Sequence, residues 1–284
     1  MPELPEVETQ VRHLRKLVVG HKIKDVWSDT KKIVHGTSYV AFKKDIVGRK
    51  IIAFRRRGKN ILMDLSGGKT AIVHFRMTGH FLYSQNTKDK WWLWETEPYV
   101  RFAMKLDNNA ALLFSDIRKF GTIHYTDTAN LAENHILAKL GPEPLADSFS
   151  FEKFREIMSS RKGIIKPILL NQTVLVGIGN IYADESLYDA GIHPRQRVDR
   201  LTDADLKKLY KAIRKNLSDG IKHKGTTVGE YVDARGKSGK HQNYLRVYKK
   251  KGEKCAKRGC SGKVKRIVVA QRGTHYCPRC QKLK

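Results

Sequence analysis

The chain has 284 residues, with 56 Lys and Arg against 28 Asp and Glu, a formal net charge of +28. With 40% hydrophobic and 30% charged residues, it is long enough for two cored domains and too apolar for a disordered polycation, so its excess charge lies on folded surfaces that suit a polyanion. No apolar run nears the ~18 residues of a spanning helix, and the acidic start Met1-Pro2-Glu3 is no targeting signal, which argues for a cytoplasmic protein with no membrane partner.

Pro2-Glu3-Leu4-Pro5-Glu6-Val7-Glu8-Thr9 puts proline in a first turn and acids beside a positive helix end, predicting a helix from near Pro5. Val7, Val11, Leu14 and Val18 continue it at helical spacing, and Gly20 stops it. From Lys22 to about Tyr125 the runs are short and β-like, at 51–57, 60–65, 71–75, 100–106 and 110–115. Turn signals such as Ser66-Gly67-Gly68-Lys69 part them, which predicts a sandwich or barrel. Leu140-Gly141-Pro142-Glu143-Pro144-Leu145 breaks the pattern, and helical periods follow at 150–159, 164–171, 180–190 and 203–222. In Val176-Gly177-Ile178-Gly179-Asn180, glycines before a helix make either a tight turn or a phosphate cradle with Asn180 as N-cap; the net charge favours the cradle.

Residues 235–284 hold 17 Lys and Arg against the single acid Glu253. Tyr244, Val247, Tyr248, Ile267, Val268, Val269 and Tyr276 interleave with them, so the basic run is folded and reads as a nucleic-acid surface. All four cysteines lie there, spaced Cys255-x4-Cys260-x16-Cys277-x2-Cys280. In a reducing compartment, two knuckles joined by a strand-sized insert suit one tetrahedral zinc better than two disulfides or free buried thiols. The insert, with its turn signal at Arg272-Gly273-Thr274, predicts a zinc-bound β-hairpin.

The start Pro2–Glu8 resembles that of bacterial formamidopyrimidine-DNA glycosylases. Gly58-Lys59-Asn60, His74-Phe75-Arg76-Met77-Thr78-Gly79, Asp116-Ile117-Arg118-Lys119-Phe120-Gly121, the segment 177–185 and the hairpin with Gln271-Arg272-Gly273-Thr274 match family blocks in order, across nearly the whole chain. The resemblance implies an α+β chain: an N-terminal helix plus β-sandwich at 1–140, a helix–two-turn–helix DNA-binding domain at 148–240, and a four-cysteine zinc finger hairpin at 241–284. It implies a bifunctional glycosylase and abasic-site lyase for 8-oxoguanine and formamidopyrimidines. Its expected partner is damaged duplex DNA and its expected cofactor one structural zinc, with no nucleotide cofactor; the expected state is a monomer, associated with the nucleoid when bound to DNA.

By the same resemblance, removal of Met1 exposes the Pro2 amine, whose ordinary pKa of about 8 leaves a neutral fraction able to attack C1′. Glu3 then moves protons, Glu6 supports it, Lys59 serves as a second acid or phosphate contact, and Arg272 clamps phosphates. Met77, Arg118 and Phe120 fill the gap left by an extruded nucleotide, with Arg118 bonding the orphaned base and favouring cytosine. Asn180, Arg161 and Lys166 are placed on phosphates, and His74 and Tyr99 join the DNA-binding set, Tyr99 where the family commonly has a DNA-contacting histidine. On residue type alone these are an ordinary helix start, turn lysines and arginines, and core Met and Phe. The x4 first knuckle departs from the usual x2, and Trp91, Trp92 and Trp94 match no family role. Two further readings remain. One is an endonuclease VIII-type enzyme for oxidised pyrimidines, disfavoured by Leu4 and by the glycine-rich loop around Thr226-Thr227-Val228-Gly229. The other is a non-catalytic zinc-hairpin DNA-binding protein.

Overall fold

The computed structural model describes residues 1–85 and 98–284, so Trp91, Trp92 and Trp94 lie outside the described residues. The chain divides into two units, Met1–Lys139 with His223–Lys240, and Leu140–Lys222 with His241–Lys284. The class is α+β. Among the described residues, no helix is long and apolar enough to cross a membrane.

In the first unit, helix α1 (Leu4–Leu17) has a capping box in which the Glu3 and Glu6 side chains accept from each other's backbone N–H. It buries Val7, Val11 and Leu14. Each such burial stabilises by roughly 1.5–3 kcal/mol, which outweighs the few tenths that valine costs a helix. Strands follow at β1 (Ile23–Ser28), β2 (Val34–His35), β3 (Ile51–Arg57), β4 (Asn60–Leu65), β5 (Lys69–His74), β6 (His80–Ser84), β7 (Val100–Leu106), β8 (Ala111–Ser115) and β9 (Thr122–Asp127). They form a four-stranded sheet ordered β1-β7-β8-β6 and a five-stranded sheet ordered β2-β9-β5-β4-β3. One core joins them, with Val26, Phe81, Phe102 and Phe114 from the first sheet and Phe54, Met63, Val73 and Ile123 from the second. This is a sandwich, with α1 packed into the same core.

Helix α2 (Tyr39–Ile46) interrupts a stretch read from sequence as wholly β-like. Ser38 caps it by accepting from the Ala41 N–H, and Phe42 and Ile46, one turn apart, go into the core. Val40, apolar yet 74% exposed, lies on the side of α2 away from that core. His223–Lys240 belongs with this unit, where sequence alone joined it to the helices. Gln10 on α1 donates to Phe81 O and Val232 O, and the Thr226 N–H donates to Glu6 at 2.7 Å.

The second unit holds α3 (Phe151–Ser159), α4 (Ile165–Leu170), α5 (Asn180–Ala190), α6 (Asp203–Lys222) and the antiparallel hairpin β10 (Lys265–Val269) with β11 (Arg272–Tyr276). Val269 pairs with Arg272, leaving Ala270 and Gln271 as a two-residue turn with φ of 46° and 59°. That turn lies just before the Arg272-Gly273-Thr274 signal, so Arg272 opens the return strand.

Candidate functional site

The start of α1 gathers ionisable groups that water would normally separate. Pro2 is buried, and Glu3 and Glu6 are 2% and 1% exposed. Glu6 accepts from the Glu3 N–H at 2.7 Å with one oxygen and from the Thr226 N–H with the other. Tyr231 donates to the Glu6 carbonyl at 3.2 Å. Gly225, at φ +81°, comes so close that a Cβ there would sit 3.0 Å from the Glu6 side chain, so glycine is required where the 223–240 segment docks.

The amine of Met1, one residue ahead of Pro2, is held below its ordinary value. Burial is the largest cause; Glu3 and Glu6 oppose it, while Lys59 and Arg118 add to it. Four groups named from sequence, Glu3, Glu6, Lys59 and Arg118, thus act on one point. Lys59 occupies the two-residue turn between paired Arg57 and Asn60, with Gly58 at φ +58°. The lysine is only 7% exposed, unlike an ordinary turn lysine.

Two loops beside the aromatic cluster of Phe75, Phe81 and Phe114 present the residues expected to wedge into DNA. Met77 is 36% and Phe120 51% exposed, so neither is a core residue. The Arg118 guanidinium lies 4.7 Å from the Phe120 ring centroid, within cation–π range. Buried Asp116, which sequence reasoning gave no role, ties the loops together. It accepts from Thr78 Oγ1, from the Arg118 N–H at 3.2 Å and from the Gly121 N–H at 2.7 Å. A short acid just ahead of a glycine-ended exposed tip was the available signal.

His74 accepts the Arg76 N–H at Nδ1, 2.9 Å away, fixing the turn that carries Met77. Burial first, then Arg76, Lys59 and His124, push its pKa down to about 3. At neutral pH it is therefore an uncharged anchor rather than a cationic phosphate ligand. Tyr99 is 39% exposed, and its carbonyl accepts from the Asp116 N–H.

In the second unit, Gly179 is the N-cap of α5 and Asn180 the first helical residue, so the cap falls one position earlier than sequence suggested. Asn180 Nδ2 donates to Gly273 O at 3.0 Å, joining the helix start to the residue after exposed Arg272. Arg161 is exposed just beyond α3.

Lys166 is not the surface phosphate contact expected of it. It is fully buried, with its ammonium 2.6 Å from both Asp184 Oδ1 and Thr274 Oγ1. Asp184 also accepts the His275 N–H, so this pair pins the hairpin to α5. Next to it, Glu185 accepts the N–H groups of Arg246, Val247 and Tyr248, each at 2.9 Å. Burial pushes the Glu185 carboxyl pKa up against those bonds. Sequence reasoning assigned neither acid a role.

The four cysteine sulfurs lie within 4.8 Å of one another, with Cys255–Cys280 at 3.7 Å, Cys260–Cys277 at 3.8 Å and Cys260–Cys280 at 3.3 Å. A tetrahedron with metal–sulfur arms of ~2.3 Å has edges of about 3.8 Å, so the set fits one structural zinc despite the longer first knuckle. Tyr188, on α5, lies with its hydroxyl 3.1 Å from Cys255 Sγ.

Comparison with known proteins agrees along the length of the chain. Residues 1–123 match the formamidopyrimidine-DNA glycosylase N-terminal domain, 140–231 the H2TH domain of the same enzymes, and 252–283 a zinc finger found in FPG and IleRS. A formamidopyrimidine-DNA glycosylase of Heliobacterium modesticaldum is 40% identical, covering 99% of this chain and 100% of the relative. The Lactococcus lactis Fpg in complex with DNA containing an abasic site superposes with a TM-score of 0.90 at 36% identity, covering 99% of each chain. The same protein with DNA containing an oxidised pyrimidine gives 0.89 at 36%, covering 99% of this chain and 100% of that one.

Proposed function

The chain belongs to the formamidopyrimidine-DNA glycosylase family, and from that premise we infer that the residues around Pro2 carry out its reaction. The protein is a DNA glycosylase for oxidised purines with the abasic-site lyase activity of its family. Loss of Met1 would leave Pro2 as a secondary amine at the buried start of α1, where burial favours the neutral, nucleophilic form. Its nitrogen attacks C1′ as the base departs, and the resulting iminium acidifies C2′ so that successive eliminations break the strand. Glu3 takes and returns protons, Glu6 holds Glu3 through its backbone, and Lys59 stabilises developing negative charge.

In the first unit, Met77, Arg118 and Phe120 replace the stacking and pairing that the extruded nucleotide gave up, and Tyr99 and His74 support that surface. In the second, Asn180, Arg161 and Arg272 bind phosphates. Residues 235–284 supply sequence-independent attraction, and we place the protein in the cytoplasm, on the nucleoid.

One observation supports this most: Glu3, Glu6, Lys59 and Arg118 all act on the Met1 amine, directly ahead of Pro2. The test is nicking of a duplex with one 8-oxoguanine opposite cytosine. The mature protein is expected to cut on both sides of the lesion, and a chain with residues left ahead of Pro2 to lose cutting while still binding. Equal cutting by both would refute the role of Pro2. The oxidised-pyrimidine complex of the L. lactis protein makes such lesions a reasonable second substrate, tested by excision of an oxidised thymine under the same conditions.

A further inference from the structure

Helix α5 turns one side toward the segment that carries the cysteines. Asp184 accepts the His275 N–H, and Glu185 accepts the N–H groups of Arg246, Val247 and Tyr248. Tyr188, one turn beyond Asp184, reaches a metal ligand instead. Its hydroxyl lies 3.1 Å from Cys255 Sγ, at hydrogen-bonding distance. The ring is fully buried, in one cluster with Val247, Val264, Cys255 and Cys277.

Cation–π contacts hold that ring in place. The Lys257 ammonium lies 4.9 Å from its centroid and the Arg246 guanidinium 5.8 Å. Lys257 belongs to the long Cys255–Cys260 knuckle, and its carbonyl accepts the Cys260 N–H at 3.1 Å. A thiolate that binds zinc carries no proton, so in the loaded site the hydroxyl donates and the sulfur accepts. Four thiolates outweigh the charge of one divalent ion, and the donor draws part of that excess away from Cys255. A hydrogen bond to an ionised acceptor is roughly twice as strong as a neutral one, and burial keeps water from replacing it.

We propose that Tyr188 is a positioning residue for the zinc. Its hydroxyl fixes the Cys255 thiolate within the set of four and slows loss of the ion.

The test is Tyr188→Phe in the full-length protein, which keeps the ring and its packing and removes only the donor. Competition against a chromogenic chelator should show zinc bound about 10- to 100-fold more weakly and released faster. Exchange of zinc for Co2+ gives a readout that packing alone would not move. The thiolate-to-cobalt absorption band of Tyr188→Phe should shift to longer wavelength, since its sulfur has lost a hydrogen bond. Unchanged zinc affinity would overturn the proposal. So would weaker binding with an unshifted cobalt band, which would reduce Tyr188 to packing.

Discussion

Glu3 and Glu6 are buried at the start of α1 beside the chain's amine, Lys59 and Arg118. Asp184 and Glu185 are as deeply buried on α5, where Lys166 and four backbone N–H groups occupy their oxygens. Burial is the same in the two units, but the neighbours differ. In the first unit Glu6 also holds the Glu3 and Thr226 N–H groups, but both acids act on the chain's first amine as well. In the second the acids hold chain segments and a buried lysine to a helix. A buried carboxylate therefore points to catalysis only when what surrounds it is reactive rather than structural.

The most severe break of this comparison is Glu3→Gln against Glu185→Gln. Glu3→Gln should slow base excision by about 100- to 10,000-fold with little change in melting. Glu185→Gln should instead lower stability by roughly 1–3 kcal/mol and spare excision by the folded fraction. Equal catalytic losses would erase the distinction. Next comes Lys166→Met, which leaves Asp184 buried without its cation and should cost about 3–5 kcal/mol in urea unfolding. Unchanged stability with a shallower salt dependence of DNA binding would return Lys166 to the phosphates.

Arg118→Ala sharpens the comparison on the DNA side. It should remove about 1–3 kcal/mol of preference for cytosine opposite the lesion. Arg161→Ala should weaken all duplexes alike and reduce the salt slope by about one contact. Band-shift titrations with different opposite bases would separate the two.

Acid stability sets the comparison against the protonation of half-buried histidines. His74 and His124 are held to about 3 and about 4 in the fold, against ~6.5 unfolded. Their pKa values are depressed, so between those limits the unfolded chain takes up protons that the folded chain refuses. Thermal melts should show stability falling from about pH 6.5 toward pH 4, and His74→Gln should flatten that fall. A drop unaffected by His74→Gln would show that the histidine does not govern it.

Much of this was legible because the signals are local. The capping box at Glu3 and Glu6, the alternation in 51–57 and 60–65, and the paired cysteines each act over a few residues. What escaped depends on distance or on backbone angles. Lys166 finds Asp184 18 residues away and Thr274 108 residues away, and no local pattern marks a lysine as buried. Ala270 and Gln271 adopt positive φ without glycine, so the turn was placed too late. Asp116 looked like one more surface acid until Thr78, Arg118 and Gly121 converged on it.

The central claim is that Pro2 is the nucleophile. Borohydride reduction during reaction with an 8-oxoguanine duplex, followed by peptide mapping, tests it directly. One covalent protein–DNA adduct is expected, on the Pro2 nitrogen of a chain lacking Met1. An adduct on Lys59 or another lysine, or undiminished trapping by a chain extended ahead of Pro2, would contradict it.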